Sequence, residues 1–249
     1  MKHFLSQATF AFIRVLNMPF FGLARLTKSN YQVIIPANTY APWHSDENYR
    51  KLMRAVKKNS LVNFYQGYEL WKLAEQMNKV PGDFLEVGVW RGSSTIIMGT
   101  KLQQIGSSKT IFSCDTFEGV VKSNPDHDNF YKDGEHSDTS LEFVQNLVEK
   151  DFGLRNVKLL KGIFPDDTQH LIADRTFAMC HIDVDTYDSA VGVMNWLWPR
   201  LEKGGVIVFN DYGFPMTQGI TKLVNEYAKD SGRVVLHNLN GHGIIVKTD

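Results

Sequence analysis

A doubly wound α/β fold, built on a mostly parallel seven-stranded sheet, is predicted from three features of this sequence. Apolar strand-like runs alternate with helical patterns from Phe84 to Leu201, which is the signature of a parallel sheet with helices on both faces. The first of these runs ends in a glycine-containing turn directly before a helix. The last two runs, Arg233–His237 and Gly243–Lys247, have no helix between them and read as an antiparallel hairpin joined by Asn238-Leu239-Asn240-Gly241.

The parallel strands are expected at Phe84–Val87, Thr110–Cys114, Val157–Leu160, Ala178–Ile182 and Val206–Phe209. Helices are expected near Ser93–Gln104, Thr139–Phe152, Gln169–Ala173, Ala190–Leu201 and Thr217–Asp230. Upstream, Leu52, Val56, Leu61, Phe64, Tyr68, Trp71 and Leu73 recur at helical spacing with a break near Asn59, giving two helices that end at Val80-Pro81-Gly82. Residues 1–45 are irregular in pattern and carry Pro19, Pro36 and Pro42. The expected organisation is therefore an N-terminal arm and helical extension over 1–78, then one α/β domain over 79–249, in keeping with a prior of roughly 150 residues per domain.

The 249 residues are 43% hydrophobic and 22% charged, with 27 basic against 27 acidic side chains. That balance is globular and gives no basic stripe for a phosphate backbone, so nucleic acid is not an expected partner. Cys114 and Cys180 both fall in strand-like runs, so no disulfide framework or cysteine zinc site is expected, and reduced thiols point to a cytoplasmic protein. The apolar stretch from Phe4 to Leu26 is interrupted by Arg14, Asn17, Pro19 and Arg25. It is expected to pack on the domain or on the partner in a homo-oligomer, the alternative being a helix lying in a membrane interface, and its apolar pieces are too short to span a bilayer.

Three strand ends carry the chemistry. Glu86-Val87-Gly88-Val89-Trp90-Arg91-Gly92-Ser93-Ser94 closes the first strand; Gly88 permits a sharp turn, and Gly92 opens the helix start, where free N–H groups favour a negative ligand. Asp115, at the end of the second strand, is placed either to accept ribose hydroxyls or to cap its own loop. This spacing suits NAD as well as other adenosine cofactors, leaving a dehydrogenase as one reading.

The densest signal is His181-Ile182-Asp183-Val184-Asp185-Thr186-Tyr187-Asp188 after the fourth strand, beside Phe209-Asn210-Asp211-Tyr212 after the fifth. If the fourth strand continues, Asp183 and Asp185 share one face, and neighbouring strands bring Asn210 and Asp211 to the same place. Carboxylates so close repel unless a hard divalent cation such as magnesium compensates them. The alternative is that they cap the following helices or pair with Arg200 and Lys222. His181 is either a base or a hydrogen-bonded core histidine. The long 116–138 loop, with His127, Asp128, Tyr131, His136 and Asp138, is the expected lid over a substrate.

Together these segments, with Asp115-Thr116-Phe117-Glu118-Gly119 and Gly162-Ile163-Phe164, resemble the macrocin O-methyltransferase (TylF-like) family of class I, Rossmann-like methyltransferases, from about Phe64 to the C-terminus. The resemblance implies an S-adenosylmethionine- and Mg2+-dependent O-methyltransferase whose small-molecule partner is a hydroxyl of a sugar or glycoside. It implies cofactor contacts from Glu86, Gly88, Gly92, Ser93, Asp115, Thr116 and Asp183, a metal at Asp183, Asn210 and Asp211, and Asp185 as base. The family usually reads Asp-Asp-Tyr where this chain has Asn210-Asp211-Tyr212, which removes one negative charge. A catalytically weak, methyltransferase-like scaffold is therefore the other reading.

Overall fold

The computed structural model describes residues 2–28, 30–31, 33–34, 40–229, 233–238 and 240–249, with side chains from residue 8 onward. Pro36 of the arm, Asp230 at the end of the last expected helix and Leu239 of the hairpin turn lie outside the described residues. The chain divides into two compact units, Met1–Asp46 and Glu47–Asp249.

The first unit is not the irregular arm expected. Helix α1 runs unbroken over Lys2–Thr27, with Pro19 inside it, and a single 3-10 turn follows at Pro42–His44. Arginine and asparagine do not stop a helix. A proline removes one donor and crowds the carbonyl four residues back, a local cost that the remaining turns absorb. Near it the Asn17 amide donates to the Ile13 carbonyl (3.1 Å), and the Thr27 hydroxyl donates to Leu23 (2.9 Å) in the last turn.

In the second unit, helices α2 (Glu47–Val56) and α3 (Phe64–Met77) belong to the α/β body, so the boundary falls at Asp46/Glu47 and not after residue 78. The reason is burial. Tyr49, Leu52, Met53 and Val56 form one face of α2, and Tyr49 sets its ring 5.8 Å from Trp71 and 4.9 Å from Tyr68 of α3. α3 starts on a reciprocal cap: Asn63 accepts from Gln66 N (2.9 Å), and the Gln66 side chain accepts from Asn63 N (3.3 Å).

The sheet contains β1 (Asp83–Val87), β2 (Ile111–Asp115), β3 (Val157–Lys161), β4 (Phe177–Ile182), β5 (Leu201–Phe209), β6 (Val234–Asn238) and β7 (His242–Val246), in spatial order β3-β2-β1-β4-β5-β7-β6. β1 to β5 are parallel; β7 lies antiparallel to β5, and β6 antiparallel to β7. The helices are α4 (Ser93–Gln104), α5 (Leu141–Asn146), which continues as a π turn over Leu147–Asp151, α6 (Tyr187–Leu197) and α7 (Gln218–Tyr227). Instead of the helix expected over 169–173, the β3–β4 connection holds one 3-10 turn, Gln169–Leu171. The strand order reverses between β1 and β4, and a crevice at such a reversal is where open α/β sheets bind ligands.

At this reversal β1 and β4 come unusually close. Gly88 has φ +91°, and a Cβ there would lie 1.8 Å from the Asp183 carbonyl oxygen. Gly88→Ala is expected to destabilise the chain by about 4 kcal/mol or more, read as a drop in urea midpoint. Gly106, also left-handed at φ +67° but with nothing within 4 Å, is the control: Gly106→Ala should cost about 1 kcal/mol.

Candidate active site at the carboxyl edge of the sheet

Parallel register sets Ile182 of β4 beside Phe209 of β5, so the residues that follow each strand emerge side by side. Asp183 N bonds to Val87 O (2.8 Å) and Asn210 N to Ile182 O (2.9 Å), which carries the ladder to the rim. β4 stops at Ile182, so strand alternation is not what brings Asp183 and Asp185 together. Both Asp185 (φ +62°) and Asp211 (φ +58°) adopt the left-handed conformation that aspartate tolerates better than most residues, and each turn folds a carboxylate back over the strand ends. One oxygen each from Asp183, Asp185 and Asp211 lies within 4.8 Å of the others.

Three half-buried carboxylates at that spacing resist ionisation. Burial, then repulsion from Asp211, holds Asp183 well above the ordinary carboxylate range, despite His181. Burial, then Asp211, Glu135 and Asp128, pushes Asp185 up to about 8. Asp211 is also raised by burial, with Asn210, His181 and His136 opposing.

His181 is the core histidine of the two alternatives. It is fully buried, paired in register with Glu86 of β1, and its Nδ1 lies 3.0 Å from Glu86 Oε1. Burial alone would lower its pKa, but the Glu86 hydrogen bond and charge, aided by Asp183 and Asp211, leave it raised. Glu86 accepts from Thr95 and lies 3.5 Å from the Ser113 hydroxyl. It is thus an internal counter-charge with no surface exposed to a cofactor.

Asn210 donates its amide toward Asp211, and its oxygen lies 3.2 Å from His242 Nε2. The His242 Nδ1–H donates to Glu69 Oε2 (2.6 Å), and Glu69 also accepts from Asn240 (2.8 Å). Glu69 and His242 were not singled out from the sequence. Their only signal would have been a half-buried acid on α3 facing a buried histidine on β7, invisible without the fold.

The glycine turn is held from below. Asp115 Oδ2 accepts from Val89 N (2.6 Å) and Trp90 N (2.8 Å), and Oδ1 accepts from Phe117 N (2.6 Å). Of roughly four lone-pair sites on a carboxylate, three are therefore occupied by loop capping, which leaves about one for a further donor. Thr116 likewise spends its hydroxyl on Gly119 O (2.8 Å) and Glu118 N (3.1 Å). Gly92 (φ +82°) is the N-cap of α4, and a Cβ there would meet Val144 of α5 at 2.9 Å, so the glycine leaves room for that neighbouring side chain. Ser93 is buried at the first turn.

The 116–138 loop is ordered. Asp138 accepts from Trp90 Nε1 (2.8 Å) and Arg91 Nη2 (2.7 Å), and Asp128 accepts from Tyr187 N (3.0 Å). His127 stacks on Tyr187 at 4.2 Å and contacts Lys222 Nζ (2.8 Å). Tyr131 and His136, with rings 5.4 Å apart, face the acidic cluster: burial first, then Asp185, Asp211 and Asp183, raises the Tyr131 hydroxyl.

Between about pH 4 and about pH 8 the folded chain keeps a proton on Asp185 that the unfolded chain has released, so stability from this group is complete at low pH and lost as pH rises through its folded pKa. The melting temperature of the metal-free chain is expected to fall from pH 5 to pH 8, and Asp185→Asn to flatten that slope. An unchanged slope in the variant would show that Asp185 is not the titrating group.

A family of known proteins, macrocin O-methyltransferase (TylF), matches residues 69–240. Among curated relatives, the 8-demethyl-8-(2,3-dimethoxy-alpha-L-rhamnosyl)-tetracenomycin-C 4'-O-methyltransferase of Streptomyces olivaceus is 34% identical over 142 residues, covering 53% of this chain and 54% of that protein. Mycinamicin III 3''-O-methyltransferase of Micromonospora griseorubida is 32% identical over 164 residues, covering 61% and 63%. The chain thus spans between about half and two thirds of the length of these relatives. The solved structure of the O-methyltransferase NovP superposes with a TM-score of 0.64 at 25% identity, over 76% of this chain and 82% of that one.

Proposed function

The chain belongs to the macrocin O-methyltransferase (TylF) family, and from that membership we propose that it transfers a methyl group from S-adenosylmethionine to a hydroxyl of a sugar or natural-product glycoside, with a divalent cation held by its acidic cluster. The observation that carries this reading is the convergence of Asp183, Asp185 and Asp211 at the sheet's switch point. The names of the two curated relatives describe methylation at numbered positions of glycosylated natural products, which supports the substrate class.

The donor set fits a hard cation. It offers only carboxylate oxygens, and their raised pKa values mark charge that the protein itself leaves uncompensated. Asp183 and Asp211 would hold the ion, Asn210 supporting Asp211 through its amide, so Asn210 enters as a partner of the ligand set. When bound, magnesium supplies a Lewis acid that lowers the pKa of an acceptor hydroxyl, and the cofactor supplies an electrophilic methyl on sulfur.

Asp185 is the proton acceptor of this proposal. A cation held by the neighbouring carboxylates would keep Asp185 ionised and able to take the proton of an acceptor hydroxyl, and its oxygen lies within 4.8 Å of those of Asp183 and Asp211. His181 has no exposed atom and takes no part in proton transfer; it holds Glu86 and offsets the charge of Asp183. The first turn of α4 offers N–H groups for the cofactor's carboxylate, and Asp115 fixes the preceding turn in the conformation that presents them. Tyr131 and His136 cover the cluster, keep water out and favour alignment of the reacting groups.

Asp211→Ala is expected to lower turnover on glycoside acceptors by about 100-fold or more while shifting the S-adenosylmethionine Kd by less than about threefold in calorimetry. A parallel loss of both would mean that Asp211 supports the fold and holds no ion, and the proposal would fall.

A further inference from the structure

Helix α1 lies outside the matched family segment and outside the α/β unit, and one side of it is wholly apolar from Ala8 onward. At about 100° per residue, Ala8, Ala11, Phe12, Val15, Leu16, Met18, Pro19, Gly22, Leu23 and Leu26 occupy one continuous arc of about 160° that contains no polar side chain. Phe12, Val15, Met18 and Leu23 on that arc are more than 60% exposed, and Leu26 is 84% exposed. Arg25 and Arg14 flank one edge of that arc, about 20° and 40° beyond Met18, Lys28 lies just past the helix end, and the rest of the circumference mixes Asn17 with Phe10, Ile13, Phe20, Phe21 and Ala24.

The charge of this segment identifies what covers the arc. Residues 1–45 contain Lys2, Arg14, Arg25 and Lys28 and no aspartate or glutamate; the first acid is Asp46. The chain is neutral overall, so the cationic excess of this segment is balanced entirely by residues after it. An apolar face flanked by basic residues complements a surface with an apolar interior and anionic headgroups. Pairing with a second copy would instead bring together two segments that each carry these four basic side chains and no acid to offset them.

We propose that α1 is an amphipathic anchor that lies in the surface of an anionic phospholipid bilayer. The stretch Ala8–Thr27 is long enough to cross the hydrocarbon layer of about 30 Å. Crossing would bury the Arg14 guanidinium well inside that layer, whereas lying flat keeps Arg14 and Arg25 at headgroup level. The inference is independent of the proposed chemistry, since it uses no residue of the acidic cluster.

The test is flotation of the purified full chain with phosphatidylcholine vesicles, alone or mixed with phosphatidylglycerol. Binding is expected to the mixed vesicles, to weaken with salt, and to be poor on phosphatidylcholine alone. Removing both charges with Arg14→Gln and Arg25→Gln should lower partitioning by about 20-fold, and Phe12→Gln with Leu23→Gln by at least tenfold. Melting curves should be unchanged, because these residues lie outside the Glu47–Asp249 unit. Absence of flotation by the folded chain, or equal binding to neutral vesicles, overturns the proposal. So does retention through high-salt and alkaline extraction, which would indicate a span. A dimer abolished by Phe12→Gln with Leu23→Gln, without vesicle binding, assigns the arc to a second copy and overturns it equally.

Discussion

The contact between the backbone at Gly88 and the carbonyl of Asp183 decides where everything else at the rim can stand. With no side chain at position 88, β1 and β4 approach until the first residue beyond β4 is tied to Val87. That fixes Asp183, and the parallel register carries the constraint to Asn210 and Asp211 on β5. The left-handed turns at Asp185 and Asp211 act within this frame. Were the strands farther apart, the same aspartates would be solvated and ordinary; their mutual repulsion follows from how tightly the backbone brings them together.

Beneath the cluster the protein compensates charge in layers. Glu86 and His181 sit in register on adjacent strands, fully buried, with Thr95 and Ser113 around the remaining carboxylate oxygen. A second acid–histidine pair, Glu69 and His242, reaches Asn210 from the opposite side. Buried ions of this sort are retained where a geometry must be unique, since each is costly unless its partners stand in place. The consequence is a rim whose outer carboxylates rest on an inner layer of paired acids and histidines, in which His181 Nε2 is left without a hydrogen-bond partner among the described residues.

Much of the fold could be read from the sequence because local and global signals agree. The span of α4 was read to the residue, since Gly92 marks a left-handed entry and the apolar residues after it keep helical spacing. The closing hairpin was equally plain. The N-terminal helix was not, because Pro19 and Arg14 look like interruptions until the backbone shows how little one lost hydrogen bond matters in a helix of 26 residues. The attachment of α2 and α3 to the body depends on Tyr49 meeting Trp71, a packing event with no local trace. At the site, the strand ends announced Asp183, Asp185 and Asp211, but the bonds by which Asp115 caps its loop needed the positions of three backbone N–H groups. The link from Glu69 to His242 bridges 173 positions of chain, and no pattern within a window reports it.

Asp138 joins the end of the long loop to Trp90 and Arg91, which themselves form the turn opening α4. Cover and turn are thereby mechanically one part. Any movement of the loop end is passed to the two residues that precede the first turn of α4, and a shift of that turn reaches the loop in return.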